Sequence, residues 1–87
     1  MSQWEDVDHL DEYRVNLIQL FNKEKNELLV VTEECDSDIE FIHLKVTPEY
    51  ENDKLIYIED IEDIERLSFN KDESYKAFYR LIEILIK

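Results

Sequence analysis

The sequence predicts an α+β fold: an antiparallel β-meander of four or five strands covered by a C-terminal amphipathic helix. Three observations carry this expectation. Apolar and polar residues alternate over 13–21 and 39–47, the period of a half-buried strand, and the largely apolar run 28–32 reads as a hairpin partner between them. Short stretches rich in Asn, Asp, Lys and Glu punctuate these segments and read as turns. The C-terminal segment repeats apolar residues at a helical period instead. At 87 residues the chain forms one small domain, able to bury about 60% of its unfolded surface. A hydrophobic fraction of 44% is enough to build that core, so disorder is excluded despite the charge.

Taken in order, Ser2-Gln3-Trp4-Glu5 has capping-box spacing and predicts a short N-terminal helix over 3–11. Trp4, Val7 and Leu10 would be its docked stripe. Residues 13–21 predict the first strand, with Tyr13, Val15, Leu17 and Phe21 on one side. After the polar loop 23–26, residues 28–32 are its hairpin partner. The third strand covers 39–47, with Ile42, Leu44 and Val46 on one face and Ile39, Phe41 and His43 on the other. Pro48 should end it, because proline donates no ladder hydrogen bond. The chain turns over 49–53 and continues as a strand over 54–58.

The stretch 57–69, YIEDIEDIERLSF, is harder to place. Isoleucines at 58, 61 and 64 recur every third residue, a spacing that drifts by about 60° per step around a 3.6-residue helical turn. A corner fits better than a long helix. The strand would end at Ile58, a tight helical turn at 60–64 would plug the sheet edge with Ile61 and Ile64, and 65–69 would form a short fifth strand. Asn70 can then cap a helix over 72–86, with Asp72 and Glu73 suited to its positive start. Its apolar stripe is Tyr75, Phe78, Tyr79, Ile82, Leu85 and Ile86, with packing expected through Phe78, Ile82 and Leu85.

Several function classes are disfavoured. Glycine is absent, where average usage of about 7% would supply roughly six. This removes phosphate-cradling loops and nucleophile elbows, and leaves tight turns to Asn and Asp. Cys35 has no partner for an internal disulfide, and its neighbours Glu34 and Asp36 disfavour a thiolate nucleophile. Asp36-Ser37-Asp38-Ile39-Glu40 opens like a calcium loop, but Phe41 replaces the glycine at its sixth position and Thr47 the glutamate at its twelfth. His9 and His43 stand alone, without zinc-ligand spacing. No catalytic residue, metal or cofactor is expected, and the chain reads as a non-enzyme. The absence of a signal-like region or an 18-residue apolar run suggests a soluble cytoplasmic protein, of the host cytoplasm if phage-encoded.

Charge is the outstanding property. Twenty-three acids against ten bases leave −13, beyond the magnitude of about 2–8 that suffices for solubility in a small domain. The acids are grouped: five in 5–12, five in 33–40, three in 49–53 and five in 59–65. Such a surface repels nucleic acid and anionic membranes and attracts a basic protein. Proteins that are basic over a wide area are most often those that bind nucleic acid.

The expected function is therefore non-catalytic: binding and inhibition of a basic nucleic-acid-binding protein, with carboxylates standing where phosphates would. The expected contact residues are Asp36, Asp38, Glu40, Glu59, Asp60, Glu62 and Asp63. In size and charge the chain resembles phage-borne DNA-mimic proteins: anti-restriction proteins, anti-CRISPR proteins and inhibitors of the DNA-repair enzyme uracil-DNA glycosylase. Two other classes fit the same composition. One is an immunity protein or antitoxin neutralising a basic nuclease toxin, and the other is a small structural subunit of a larger complex. A solvated surface serving solubility alone is the plainest account of the acids.

Overall fold

The computed structural model describes residues 3–7, 15–34 and 38–87. Five strands, β1 (Trp4–Asp6), β2 (Val15–Asn22), β3 (Glu27–Glu34), β4 (Asp38–Glu51) and β5 (Lys54–Asn70), form one antiparallel sheet in sequence order. A 3-10 turn, Lys71–Glu73, leads into α1 (Tyr75–Leu85), which packs on one face of the sheet. The meander and its covering C-terminal helix are thus present.

Strand β3 sits at the centre, and Leu28, Leu29, Val30 and Val31 are all buried along it. Because successive strand residues point to opposite faces, such a run requires cover on both sides. On the helix side, Leu29 and Val31 join Ile39 and Phe41 beneath Ala77 and Leu81 of α1. On the far side, Leu28 and Val30 join Phe21, Ile42, Leu44 and Val46. Val7, Leu55 and Ile58 pack against that second cluster.

The turns are built without glycine, as the composition requires. Asn26 has φ 54° at the end of the β2–β3 turn, and Asn52 and Asp53 have φ 53° and 65° between β4 and β5. Two successive left-handed residues match the twist of a two-residue hairpin, and Asn and Asp tolerate that region best after glycine. Asn22 braces the first turn: its Oδ1 accepts hydrogen bonds from the backbone N–H groups of Glu24 and Lys25, both at 3.0 Å.

Several expectations are corrected. The N-terminal segment is a strand over Trp4–Asp6, not a helix. A spacing of three also puts Trp4 and Val7 on opposite faces of a strand, and each packs against a different cluster. Residues 8–14, which include His9, Leu10 and Tyr13, lie outside the described residues. Leu17 is half exposed, because β2 carries an irregularity between Asn16 and Ile18 that leaves Leu17 without an opposite residue on β3. Pro48 does not end its strand: β4 runs on to Glu51, with Pro48 opposite Ile58. β3 ends opposite Lys45, so this part of β4 has one open side, where proline is tolerated.

The corner at 60–64 is also overturned. β5 is one strand of 17 residues, paired along β4 through three register shifts. Glu65 is opposite His43 and Asp63 opposite Leu44, so Ile64 is extra; the same arithmetic makes Ile61 and Ile56 extra. Bulges thus absorb the every-third-residue pattern that a regular strand cannot follow. Ile61 and Ile64 do not plug the edge; they are 59% and 46% exposed.

The helix itself is rotated relative to its apolar stripe. Ala77 and Leu81 are buried, with Phe78, Ile84 and Leu85 partly so, whereas Ile82 is 48% exposed. Ala77 is the reason: its small side chain lets the helix sit close to Phe41 and Leu29, and the buried face centres on it. Neither Asn70 nor Ser74 makes a side-chain cap bond. The test of this orientation is a pair of truncations compared by urea denaturation. Leu81→Ala should destabilise by about 2–4 kcal/mol, as for a buried leucine, and Ile82→Ala by less than about 1 kcal/mol. Asn26→Val should lose about 1–2 kcal/mol by forcing a β-branched residue to positive φ, where Asn26→Gly should be nearly neutral.

Candidate binding surface on strand β5

The acids of 59–65 lie on an edge strand, and the register distributes them over both faces. Directly opposed residues share a face. Asp63 is opposite Leu44 and Asp60 opposite Val46, which places both on the far side of the sheet. Glu65, Glu62 and Glu59 are opposite His43, Lys45 and Thr47, on the helix side. The expected contact residues Glu59, Asp60, Glu62 and Asp63 therefore form two rows back to back, not one patch. Asp38 and Glu40, opposite Asn70 and Ser68, share the far side with Asp60 and Asp63. Asp36 lies outside the described residues, as does Cys35.

Arginines fix one end of each row. On the far side, Arg66 is opposite Ile42; its Nε donates to Asp63 at 3.0 Å and its Nη1 to Glu40 at 3.1 Å. This joins two of the expected contact residues across β4 and β5. The Asp63 carboxylate, and then Glu40, hold the Arg66 guanidinium above its ordinary range against the effect of burial. On the helix side, Arg80 of α1 grips Glu65 with two parallel bonds, Nε and Nη2 each 2.7 Å from a carboxylate oxygen. These bonds hold the Glu65 carboxyl below its ordinary value, outweighing the opposite effect of burial. They also raise the Arg80 guanidinium, helped by Glu83 at 3.1 Å. Neither arginine's role was legible in the sequence, because each partner is set by register or by helix docking.

Beyond Glu65 the helix-side row opens. Lys45, opposite Glu62, turns away and donates its Nζ to the Lys25 carbonyl at 2.7 Å. Glu59 and Glu62 are exposed and make no ion pair among the described residues. Exposed apolar residues are interleaved with the carboxylates: Ile56, Tyr57, Ile61 and Ile64 are each about half exposed. The sequence reading counted the acids and missed these isoleucines as surface.

Bulges also compress the charge. Five carboxylates from Glu59 to Glu65 span only the β4 positions Thr47 to His43. At about 3.4 Å per residue, that is roughly 14 Å. Taken together the two rows place one carboxylate about every 3.4 Å, the phosphate spacing of a DNA strand, whereas within either row neighbours are about 7 Å apart.

A half-open groove of about 450 Å³ lies beside the helix, walled by Trp4, His43, Ile64, Glu65, Arg80 and Ile84 among others. Two polar pairs line it, His43 with Glu27 and Arg80 with Glu65. His43 Nε2 lies 2.8 Å from Glu27 Oε1, Trp4 meets the His43 ring edge-on at 6.1 Å, and Arg80 is held as above. Among the described residues no cluster of three His, Cys, Asp or Glu side chains is arranged to hold a metal. No helix among them is long and apolar enough to cross a membrane.

The Glu65–Arg80 pair gives a pH-dependent prediction. A carboxyl whose folded value is depressed contributes stability above its unfolded value, and that contribution is lost as pH falls through the folded one. Glu65→Gln should cost about 0.5–1 kcal/mol at pH 7, and the gap to the wild type should close below about pH 4. Urea titrations of both chains at a series of pH values would measure it. A gap that persisted at low pH would assign the effect to packing.

Comparison with known proteins gives no match of significance to set beside this geometry: no family model matches the sequence, and no curated protein and no solved structure matches the chain.

Proposed function

We propose that the chain is a non-catalytic inhibitor that binds a basic, nucleic-acid-binding protein through strand β5, its carboxylates occupying positions that phosphates would otherwise take. The observation that carries this reading is the interleaving of carboxylates with exposed isoleucines on one edge strand. Acids displayed for solubility need no neighbouring Ile61 and Ile64 at about half exposure. A protein interface does: a few apolar anchors supply affinity, and the surrounding charge supplies steering and specificity. The phosphate analogy draws on both rows together, so a groove lined with Lys and Arg would have to wrap the β5 edge to meet charge at the spacing of a DNA strand.

An immunity protein or antitoxin against a basic nuclease is the second reading, and the same interleaving supports it. The two differ in where the partner is covered. A mimic occupies the nucleic-acid groove and competes with duplex DNA, whereas an immunity protein can bind beside the active site and leave substrate binding intact.

The test starts with affinity capture from the source cell's lysate, followed by measured binding of the captured protein. Neutralising Glu59, Asp60, Glu62 and Asp63 to Gln or Asn should leave the fold intact or slightly more stable, because self-repulsion falls. Affinity should weaken by at least about a hundredfold, and wild-type affinity should fall steeply as salt rises. The split variants Glu59→Gln/Glu62→Gln and Asp60→Asn/Asp63→Asn would identify which row makes contact. Full affinity in the fourfold variant would overturn the reading and leave the acids as solvated surface.

A further inference from the structure

The side of α1 that turns away from the sheet carries a second apolar row. Tyr75, Tyr79, Ile82 and Ile86 are 52%, 59%, 48% and 78% exposed. Their steps of four, three and four residues are those of a coiled-coil seam, a narrower stripe than a helix uses to lie on a sheet. Tyr75 and Tyr79 stack edge to face with centroids 5.6 Å apart, which orders one end of the row. On one flank, where coiled coils place the charges that select a partner, stand Lys76 and Glu83.

Charge says what can approach this row. Residues 71–87 hold four bases (Lys71, Lys76, Arg80, Lys87) and three acids (Asp72, Glu73, Glu83), a balance of +1. Residues 1–70 hold the remaining six bases and twenty acids, a balance of −14. A basic partner is drawn to the rest of the molecule and gains nothing here. For a second copy of the same chain the reverse holds, since α1 is where two such acidic molecules meet with least repulsion.

We infer that α1 is a homodimerisation surface, on which two copies pack their helices antiparallel about a two-fold axis. Antiparallel alignment sets each Tyr79 against Ile82 of the other copy, and each Tyr75 against Ile86. It also brings Lys76 of each copy within about 3 Å, along the axis, of Glu83 of the other on the same flank, so the flanking charges form two symmetric ion pairs. At present Lys76 is 3.3 Å from Glu73 and Glu83 is 3.1 Å from Arg80, both exposed pairs within one helical turn that exchange at little cost. One short helix per protomer is less than a standard interface of about 800 Å² per partner, so the dimer is weak, with a dissociation constant on the order of 10–100 μM.

Sedimentation equilibrium tests it directly. The mass should rise from the 10.6 kDa of one chain toward twice that value as concentration passes through the range of about 10–500 μM. Ile82→Glu should remain monomeric throughout, and below the dimerisation range its thermal unfolding curve should stay close to the wild type's because the position is half exposed. Lys76→Glu should weaken the dimer about fivefold or more, and Lys76→Glu/Glu83→Lys should restore it. Added salt should strengthen the dimer by screening the repulsion between two chains of −13, the opposite of its effect on a complex with a basic protein. The inference does not rest on the β5 carboxylates, so Glu59→Gln/Glu62→Gln should dimerise at least as well as the wild type. A chain that stays monomeric at about 500 μM in both low and high salt would overturn it, as would a dimer that Ile82→Glu leaves intact.

Discussion

Everything in this molecule is arranged around the need to cover β3 twice. Leu28, Leu29, Val30 and Val31 are consecutive and buried, so neither face of the central strand can meet water. At about 25 cal/mol per Å² of apolar surface, leaving either face open would cancel much of the stability that an 87-residue chain can have. Helix α1 closes one side. Val7, Leu55 and Ile58, from segments far apart in sequence, help to close the other. The length of the β4–β5 hairpin follows from this: residues past the end of β3 remain useful because Leu55 and Ile58 return to the far-side core.

The parts of the fold that follow from local pattern were legible, and the parts set by a partner were not. The largely apolar run in 28–32 and the alternation in 39–47 mark two strands, because a run covered on both faces and a half-buried alternation are both strand patterns that need no partner to be recognised. The asparagine turns follow from the lack of glycine. Periodicity misled where one chemical pattern has two geometries. A spacing of three reads as a helical turn at Trp4 and Val7 and as a corner at Ile58, Ile61 and Ile64, yet strands accommodate both, the first by using two faces and the second by bulging. In α1 the stripe was real but wide, and only Ala77 decides which part of it lies inward. Of the candidate contact residues, the sequence located the carboxylates but could not divide them between faces. That division depends on counting bulges, which only the pairing with β4 reveals.

Two arginines do much to organise the charge. Arg66 ties β4 to β5 through Glu40 and Asp63, and Arg80 ties α1 to β5 through Glu65. Each removes local repulsion at the helix-proximal end of the strand and leaves Glu59 and Glu62 to face water at the other. The compensation of charge along β5 is therefore graded: among the described residues Asp63 and Glu65, nearer the helix, are held by arginines, while Glu59 and Glu62, nearer the hairpin tip, are not. An electrostatic polarity of this kind orients an approaching molecule before any contact forms.

A 17-residue edge strand with exposed isoleucines is, by its backbone, a template on which further strands could add without limit. Two devices stand against fibre growth here, and they respond differently to solution conditions. The bulges at 56, 61 and 64 break the flat run of donors and acceptors that a stacking chain would need, and they act at any pH. The carboxylates keep neighbouring molecules apart only while ionised, and that protection disappears near the isoelectric point of about 4.3. In mild acid, colloidal stability thus passes from charge to backbone shape alone, and resistance to amyloid-like assembly is left to three extra residues on one strand.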